Sequence, residues 1–180
     1  MGIKFTPLEI PEVILVEPQI HSDTRGYFLE TYHRQKYEAG GVAATFVQDN
    51  LSSSIKNALR GLHYQIKKPQ AKLVMVLSGE IFDVVVDVRP NSPTFGKWVG
   101  AMLSGNNKKQ IYVPEGFAHG FCVLSETAQV LYKCSELYDP QDEAGILWSD
   151  PAIGIKWPVK APLLSPKDQA NPPLHRAHVT

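Results

Sequence analysis

The sequence predicts an all-β protein, because it contains many short apolar segments separated by turn residues and almost no helical periodicity. The clearest strand alternates with a period of two: Phe82 and Val84 fall on one face, Asp83 and Asp87 on the other. Repeated short strands of this kind are typical of a β-sandwich or barrel. No linker, repeat or low-complexity segment divides the sequence, so we expect a single domain over residues 1–180.

Strand and turn signals predict the elements in order. Apolar segments predict strands at 12–17, 27–32, 46–51, 59–65, 72–77, 81–88, 98–103, 110–113, 120–124 and 128–137. Polar turns are predicted at 21–26 and 52–54, and the two strands that flank Ser78-Gly79 are predicted to pair as a hairpin. A short helix is predicted at 33–39, where it ends at two glycines. Prolines after Trp157 predict an irregular tail with a short helix near 165–168.

The composition excludes some classes of partner. Lys+Arg and Asp+Glu both number 18, which gives a formal net charge of zero. Proteins that bind nucleic acid or membrane surfaces usually carry a basic excess, so we expect neither partner. No apolar run approaches the roughly 20 residues that span a bilayer, and the first residues lack an apolar signal-peptide core. Cys122 and Cys134 lie in apolar strands, as expected for buried thiols of a cytoplasmic protein.

The segment 59–65, Leu-Arg-Gly-Leu-His-Tyr-Gln, carries the strongest functional signal. Arg60 can grip a phosphate with a planar fork of donors, and an arginine in an apolar strand needs a partner. His63 can move a proton near neutral pH. The two residues are three positions apart, so a regular strand would send them to opposite faces. A bulge at Gly61 would bring both to one ligand.

A second motif, Pro-Glu-Gly-Phe-Ala-His-Gly-Phe at 114–121, resembles the second motif of the cupins, which are double-sheet jelly rolls. Many cupins bind a metal through two histidines and a glutamate of the first motif and the histidine of the second. Here only His63 and His119 occupy the expected positions, and Gln65 stands where a second histidine would follow His63. We therefore expect a cupin without a metal.

The residues alone do not decide which side chains bind an anion or transfer a proton. Arg25, Arg60, Lys72 and Lys167 are candidates for gripping a diphosphate, and each is otherwise an ordinary solvated charge. His63 is a candidate base, or alternatively a hydrogen-bonded histidine of the core. The candidate acid is a tyrosine at position 132, or alternatively a sheet aromatic with its hydroxyl at the rim.

The motifs together resemble the dTDP-4-dehydrorhamnose 3,5-epimerase family. The resemblance is carried, in order along the chain, by the segments 23–28, 48–52, 59–65, 72–74, 79–84, 114–121 and 132–133. It implies a cupin-type double-sheet jelly roll that works as a homodimer without a cofactor or metal. It also implies inversion at C3 and C5 of dTDP-4-dehydro-6-deoxy-D-glucose on the route to dTDP-L-rhamnose.

The resemblance assigns a role to each candidate site residue. His63 would be the base, oriented by Asp168, and Tyr132 would return a proton from the opposite face of the sugar. Lys72 would stabilise charge on the C4 oxygen. Tyr138 would stack on the thymine. The other substrate-binding positions implied are Arg25, Phe28, Glu30, Gln48, Asp49, Asn50, Arg60, His119, Glu143 and Lys167.

Four alternatives to this interpretation differ in chemistry. A mono-epimerase would invert only C3 or C5 with the same histidine and tyrosine. Sugar-nucleotide 3,4-ketoisomerases and metal-dependent cupin dioxygenases are both disfavoured by Gln65. A non-catalytic sugar-binding cupin would have no reason to keep His63, Lys72 and Tyr132 together.

Overall fold

The computed structural model describes residues 2–179, which form two antiparallel sheets packed face to face and a separate two-stranded sheet of Ile20–Asp23 and Gly26–Leu29. The thirteen strands are β1 Lys4–Pro7, β2 Ile14–Glu17, β3 Ile20–Asp23, β4 Gly26–Leu29, β5 Gln48–Ile55, β6 Leu59–Gln65, β7 Lys72–Ser78, β8 Glu80–Asp87, β9 Trp98–Ser104, β10 Gln110–Val113, β11 Phe117–Val123, β12 Thr127–Cys134 and β13 Glu143–Gly145. One sheet has the order β1-β2-β10-β7-β12-β5, and the other has the order β13-β6-β11-β8-β9. This double-sheet jelly roll confirms the predicted fold class.

The core lies between the sheets and also outside one of them. Inside, Val74 and Ile111 of the first sheet pack against Val85 and Phe117 of the second. The outer face of the second sheet is covered by the C-terminal segment, which adds the buried residues Ile146, Ile153 and Leu174. Strand β8 is therefore buried on both faces. Two of its carboxylates, those of Asp83 and Asp87, lie inside the protein with no solvent exposure.

The predicted hairpin across Ser78-Gly79 is wrong, although both of its strands exist. Strand β7 pairs with β10 and β12, whereas β8 pairs with β9 and β11. Gly79 adopts a φ of 80° and lies at the corner where the chain crosses from one sheet to the other. Strand β7 is almost wholly apolar, and the alternation along β8 distinguishes its two faces but does not indicate which strands pair with its edges.

Three other predicted elements differ from the structure. The serines at 52–54 do not form a turn but continue strand β5 to Ile55. The polar turn predicted at 21–26 is instead most of the hairpin formed by β3 and β4, with its tip at Thr24 and Arg25. Strand β11 begins at Phe117 and so includes His119.

Two short helices confirm their predictions. Helix α1 spans Arg34–Ala39 and ends at Gly40. Helix α2 spans Pro166–Ala170, and the Ser165 hydroxyl caps it by accepting a hydrogen bond from the Asp168 backbone N–H at 3.1 Å. Within residues 2–179, no helix is both long and apolar enough to cross a membrane. Cys122 and Cys134 are buried free thiols, as predicted. The two ends of the predicted 1–180 domain, Met1 and Thr180, lie outside the described residues.

Candidate active site

A cavity of about 440 Å³ opens between the two sheets, and it collects most of the predicted site residues. Strands β5, β7 and β12 form one wall, while β6, β11 and β13 form the other. Helix α2 closes one side. The lining includes the predicted residues Gln48, Asn50, Arg60, His63, Lys72, His119, Tyr132, Tyr138, Glu143, Lys167 and Asp168.

A bulge in β6 turns Arg60 and His63 to the same cavity, as the sequence predicted. His63 pairs with His119 of β11, whereas Arg60 pairs with Phe121, so three steps on β6 match two steps on β11. Gly61 lies in the bulge with a φ of 124°, and a Cβ there would come within 2.6 Å of the Gly120 Cα. Only glycine fits this position.

His63 lies between two carboxylates. Its Nε2 is 2.5 Å from Asp168 Oδ1, and its Nδ1 is 3.8 Å from Glu143 Oε1. Burial is the largest single influence on Asp168 and opposes its ionisation, but the hydrogen bond and charge of His63, together with hydrogen bonds from Ser165 and the Gly61 backbone, lower the Asp168 pKa from its ordinary value. The charged carboxylate accepts the Nε2 proton, so Nδ1 keeps its lone pair. Nδ1 is therefore the nitrogen that can act as a base.

The opposite wall carries a potential acid and a potential electrostatic stabiliser. Tyr132 on β12 lies in register with Asn50 of β5, and burial raises the pKa of its hydroxyl, which keeps it protonated. Lys72 begins strand β7, and burial lowers the pKa of its ammonium group. Because these side chains come from the sheet facing His63, a ligand in the cavity meets acid and base from opposite sides.

A second histidine–carboxylate pair lies deeper in the same wall. His119 Nε2 is 3.0 and 2.9 Å from the two oxygens of Asp83, which is fully buried on β8. Burial raises the Asp83 pKa, and His119 and Lys72 oppose that shift. Asp83 was not predicted from the sequence to be a site residue. The feature that could have identified it is a carboxylate in the middle of a strand with apolar neighbours, because a buried carboxylate requires a partner.

The cavity mouth is bordered by three linked side chains. The Tyr138 hydroxyl donates to Glu143 Oε2 at 2.6 Å, and the same oxygen is paired with the Lys167 ammonium. The Glu143 carboxylate raises the pKa of Tyr138 to about 12. The Tyr138 backbone N–H donates to Gln48 Oε1 at 3.0 Å, and the Gln48 amide donates in turn to Asn50. Arg60 Nε donates to the Ser54 hydroxyl at 2.9 Å, and this hydrogen bond holds the guanidinium against strand β5.

Four predicted substrate-binding residues do not line the cavity of their own chain. Arg25 and Phe28 lie on the β3–β4 hairpin, where Arg25 pairs with Asp23 at 2.6 Å. Glu30 follows the hairpin and pairs with Lys36. Asp49 points to the outer face of β5 and pairs with Lys133 at 2.9 Å. Alternation along β5 sends Asp49 away from its neighbours Gln48 and Asn50.

Several lining residues were not selected from the sequence, and they are Ser52, Tyr64, Gln65, Gln70, Phe121, Cys134 and Ser165. The Gln65 side chain joins two loops: its amide donates to the Lys68 carbonyl at 2.8 Å, and its oxygen accepts the Asp139 backbone N–H at 2.8 Å. Among residues 2–179, no group of three or more His, Cys, Asp or Glu side chains is arranged to hold a metal ion.

Comparisons with known proteins identify similar sequences over most of the chain. A family model described as dTDP-4-dehydrorhamnose 3,5-epimerase matches residues 7–176. The enzyme of that name from Shigella flexneri is 55% identical over 162 residues, covering 89% of this chain and 90% of the relative. The one from Neisseria gonorrhoeae is also 55% identical over 162 residues and covers 89% of this chain, but the chain spans only about half, 49%, of that relative's length.

Solved structures agree in fold across most of the chain. The dTDP-6-deoxy-D-glucose-3,5-epimerase of Legionella pneumophila, in complex with dTDP-4-keto-L-rhamnose, superposes with a TM-score of 0.94. It is 48% identical, covering 97% of this chain and 94% of that chain. A 3'-monoepimerase from Streptomyces bikiniensis, in complex with dTDP-quinovose, has a TM-score of 0.88 at 36% identity, covering 97% and 88%. With the family model matching nearly its whole length, this chain belongs to the dTDP-4-dehydrorhamnose 3,5-epimerase family.

Proposed function

We propose that this chain inverts C3 and C5 of dTDP-4-dehydro-6-deoxy-D-glucose, giving dTDP-4-dehydro-L-rhamnose for dTDP-L-rhamnose synthesis. The observation that carries the proposal is the arrangement of one cavity. His63, bonded to Asp168, lies on one wall, and Tyr132 lies on the other. Epimerisation removes a proton from one face of a carbon and returns one to the other face, so it needs groups on both sides of the sugar.

The base is His63, acting through Nδ1. Carbons 3 and 5 flank the C4 ketone, so loss of a proton from either gives an enolate whose charge lies on the C4 oxygen. Asp168 holds the imidazole through Nε2 and stabilises the cation that forms when Nδ1 takes the proton. Tyr132 then donates its hydroxyl proton to the opposite face of the same carbon.

Lys72 stabilises the enolate. Its ammonium group lines the cavity on the Tyr132 side, where no hydrogen-bonded partner in residues 2–179 competes with an incoming oxygen. A positive charge in a buried site acts strongly on charge that develops during the reaction. His119, held by Asp83, is a further donor for the sugar oxygens.

The nucleotide binds at the cavity mouth. Arg60 and Lys167 supply positive charge for the diphosphate, and the exposed ring of Tyr138 offers a face for the thymine. Gln48, Asn50 and Glu143 provide neighbouring polar groups. These contacts hold the sugar between the two walls and leave the chemistry to the interior residues.

The active form is a homodimer. Arg25, Phe28 and Glu30 belong to the substrate-binding set expected from the family, but they lie on or beside an exposed hairpin outside their own chain's cavity. A second copy would allow this hairpin to complete the neighbouring site. We further assign the enzyme to the cytoplasm, in keeping with its two unpaired cysteines.

A mono-epimerase is the second candidate, because a 3'-monoepimerase shares the fold at a TM-score of 0.88. Both activities use one base and one acid. Incubation with dTDP-4-dehydro-6-deoxy-D-glucose in deuterated water, followed by NMR of the product, distinguishes them. Deuterium and inversion at both C3 and C5 are expected, whereas inversion at a single carbon would favour the mono-epimerase and contradict the proposal.

A further inference from the structure

The double inversion proposed above imposes a requirement that the acid and base alone do not meet. Each inversion leaves a proton on His63 and removes one from Tyr132. The imidazole must lose that proton before it can attack the second carbon, while the sugar still fills the cavity. A double epimerase of this design therefore needs a route by which the proton leaves the base.

Asp168 does not provide that route. Its carboxylate is buried and accepts hydrogen bonds from His63 Nε2, from the Ser165 side chain and from the Gly61 backbone N–H. These contacts fix it behind the imidazole, on the side of Nε2. The proton taken from the sugar arrives on the other nitrogen, Nδ1, on the opposite side of the ring.

Glu143 faces that nitrogen. Its Oε1 is 3.8 Å from His63 Nδ1, and small rotations of the two side chains would bring these atoms within hydrogen-bond distance. The geometry follows from the sheet: β13 pairs with β6 so that Gly145 lies opposite His63 and Glu143 lies opposite Gln65. Glu143 is thus the diagonal neighbour of His63, which a long side chain can reach.

The other oxygen of Glu143 faces the cavity mouth. Oε2 accepts the Tyr138 hydroxyl at 2.6 Å and is paired with Lys167. The Glu143 side chain is only 11% exposed, whereas Tyr138 is 50% exposed. A row of neighbouring groups therefore runs from the base, through a nearly buried carboxylate, to the hydroxyl of a half-exposed tyrosine.

We propose that Glu143 is a proton relay that discharges His63 between the two inversions and passes the proton out through the Tyr138 hydroxyl. This inference rests on the proposed double epimerisation. It makes Glu143 part of the reaction cycle in addition to its place at the nucleotide end of the cavity.

The proton balance of the cycle is closed. A C–H bond breaks as the N–H bond forms at Nδ1, and the electron pair moves to the C4 oxygen. Tyr132 gives its proton to the other face of the carbon as the ketone re-forms. The Nδ1 proton moves to Glu143, which presents it to the Tyr138 oxygen while the hydroxyl proton of Tyr138 passes to water. The Tyr132 phenolate takes a proton from water, so no net charge accumulates.

Glu143→Gln tests the relay, because glutamine keeps the size of the side chain and an oxygen acceptor for Tyr138 but does not take up a proton. Enzyme in excess over dTDP-4-dehydro-6-deoxy-D-glucose is mixed with deuterated water, and the quenched sugar is analysed by mass spectrometry over time. The wild-type enzyme is expected to give mainly doubly deuterated sugar. In Glu143→Gln, singly deuterated sugar accumulates, since the second uptake is slowed about tenfold or more relative to the first.

Two further variants separate a relay from a binding role. Tyr138→Phe keeps the aromatic ring, removes the outer hydroxyl, and is expected to accumulate singly deuterated sugar to a smaller extent. Lys167→Met keeps both relay groups, so it is expected to raise KM while preserving the wild-type ratio of doubly to singly deuterated sugar.

Each outcome is decisive. Equal slowing of both uptakes in Glu143→Gln would overturn the relay and leave Glu143 a binding residue. If that variant does not bind substrate, an unchanged ratio in Tyr138→Phe overturns the relay instead. Uptake of a single deuterium by the wild-type enzyme would contradict the double epimerisation itself, which distinguishes failure of the proposed function from failure of the relay.

Discussion

Two histidine–carboxylate pairs lie side by side in one sheet, and their surroundings give them different capabilities. His63 and His119 are register partners on β6 and β11, each within hydrogen-bond distance of an aspartate. The His63 side chain is 27% exposed to the cavity, whereas that of His119 is 8% exposed. The same two functional groups are thus accessible from the cavity at one position and nearly excluded from solvent at the other.

The aspartates that partner the two histidines differ in the direction of their pKa shifts. The Asp168 pKa is lowered, because partial burial, the largest single influence, is outweighed by the combined effect of His63 and the hydrogen bonds from Ser165 and Gly61. The Asp83 pKa is raised, because full burial outweighs its contact with His119. Burial therefore decides whether such a pair supports proton transfer or only orientation.

The largest expected effect is the difference in proton exchange between substitutions of His63 and of His119. His63→Ala should abolish deuterium uptake at both C3 and C5, a loss on the order of 10⁴-fold or more, because no other group removes the protons. His119→Ala should retain measurable uptake at both carbons. Proton NMR of the sugar in deuterated water measures both rates. Retained uptake in His63→Ala would show that another base serves at least one carbon.

Tyr132→Phe tests whether proton removal is confined to the His63 side. Exchange should continue, because the base is intact, while inversion falls by about 10²- to 10³-fold since no acid lies on the other face. The ratio of exchanged substrate to inverted product, followed by NMR, reports this separation. Unchanged inversion would remove Tyr132 from the mechanism.

Replacing Asp168 or Asp83 by asparagine compares how much each histidine–aspartate pair contributes to kcat. Asp168→Asn should lower kcat by about 10²-fold, because the amide can donate to Nε2 and shift the ring proton to Nδ1, the basic nitrogen. Asp83→Asn should change kcat by less than about tenfold, since His119 does not abstract the protons. Steady-state kinetics on both variants provide the measurement, and a larger loss in Asp83→Asn would reverse the assigned roles.

The smallest effect is on stability against pH. Asp168 has a lowered native pKa, so its contribution is present above the unfolded pKa and is lost as pH falls through the native pKa. Asp83 has a raised native pKa, so its contribution is present at low pH and is lost as pH rises through the native pKa. Below about pH 4, urea unfolding should therefore give a shallower rise of stability with pH in Asp168→Asn, and above about pH 4 it should give a steeper rise in Asp83→Asn.

Each slope difference is at most about 1.4 kcal/mol per pH unit, the limit for one proton. Slopes are compared because either substitution also changes the stability at every pH. Parallel curves for both variants would show that the two carboxylates titrate alike.

The strands were largely predictable, and their partners were not. Alternation, turn residues and glycines indicated β6, β8 and β10 within a residue or two. The hairpin predicted across Gly79 failed because an apolar run carries no information about which sheet it joins. The serines after Leu51 are typical turn residues, yet their backbone pairs with β12 and continues the edge strand β5.

Site residues with an unusual residue type for their strand could be predicted from the sequence. Those that depend on contacts between distant strands could not. His63, Arg60 and the bulge at Gly61 followed from an arginine and an imidazole set in an apolar strand. Asp83 was missed because its partner, His119, is distant in sequence. The outward direction of Asp49 follows from its register, which its neighbours in sequence do not reveal.

By itself, the sequence determined the all-β class, the residue types of the site and the family resemblance, because these depend on local periodicity and on short motifs. The resemblance already implied that Asp168 orients His63, whereas the tertiary structure alone showed that Asp83 is the partner of His119 and that Tyr132 and Lys72 line one cavity with His63. Those relations depend on strand order and on burial, which bring together side chains up to about a hundred positions apart in the chain. The electrostatic character of each pair follows from that environment rather than from the residue types.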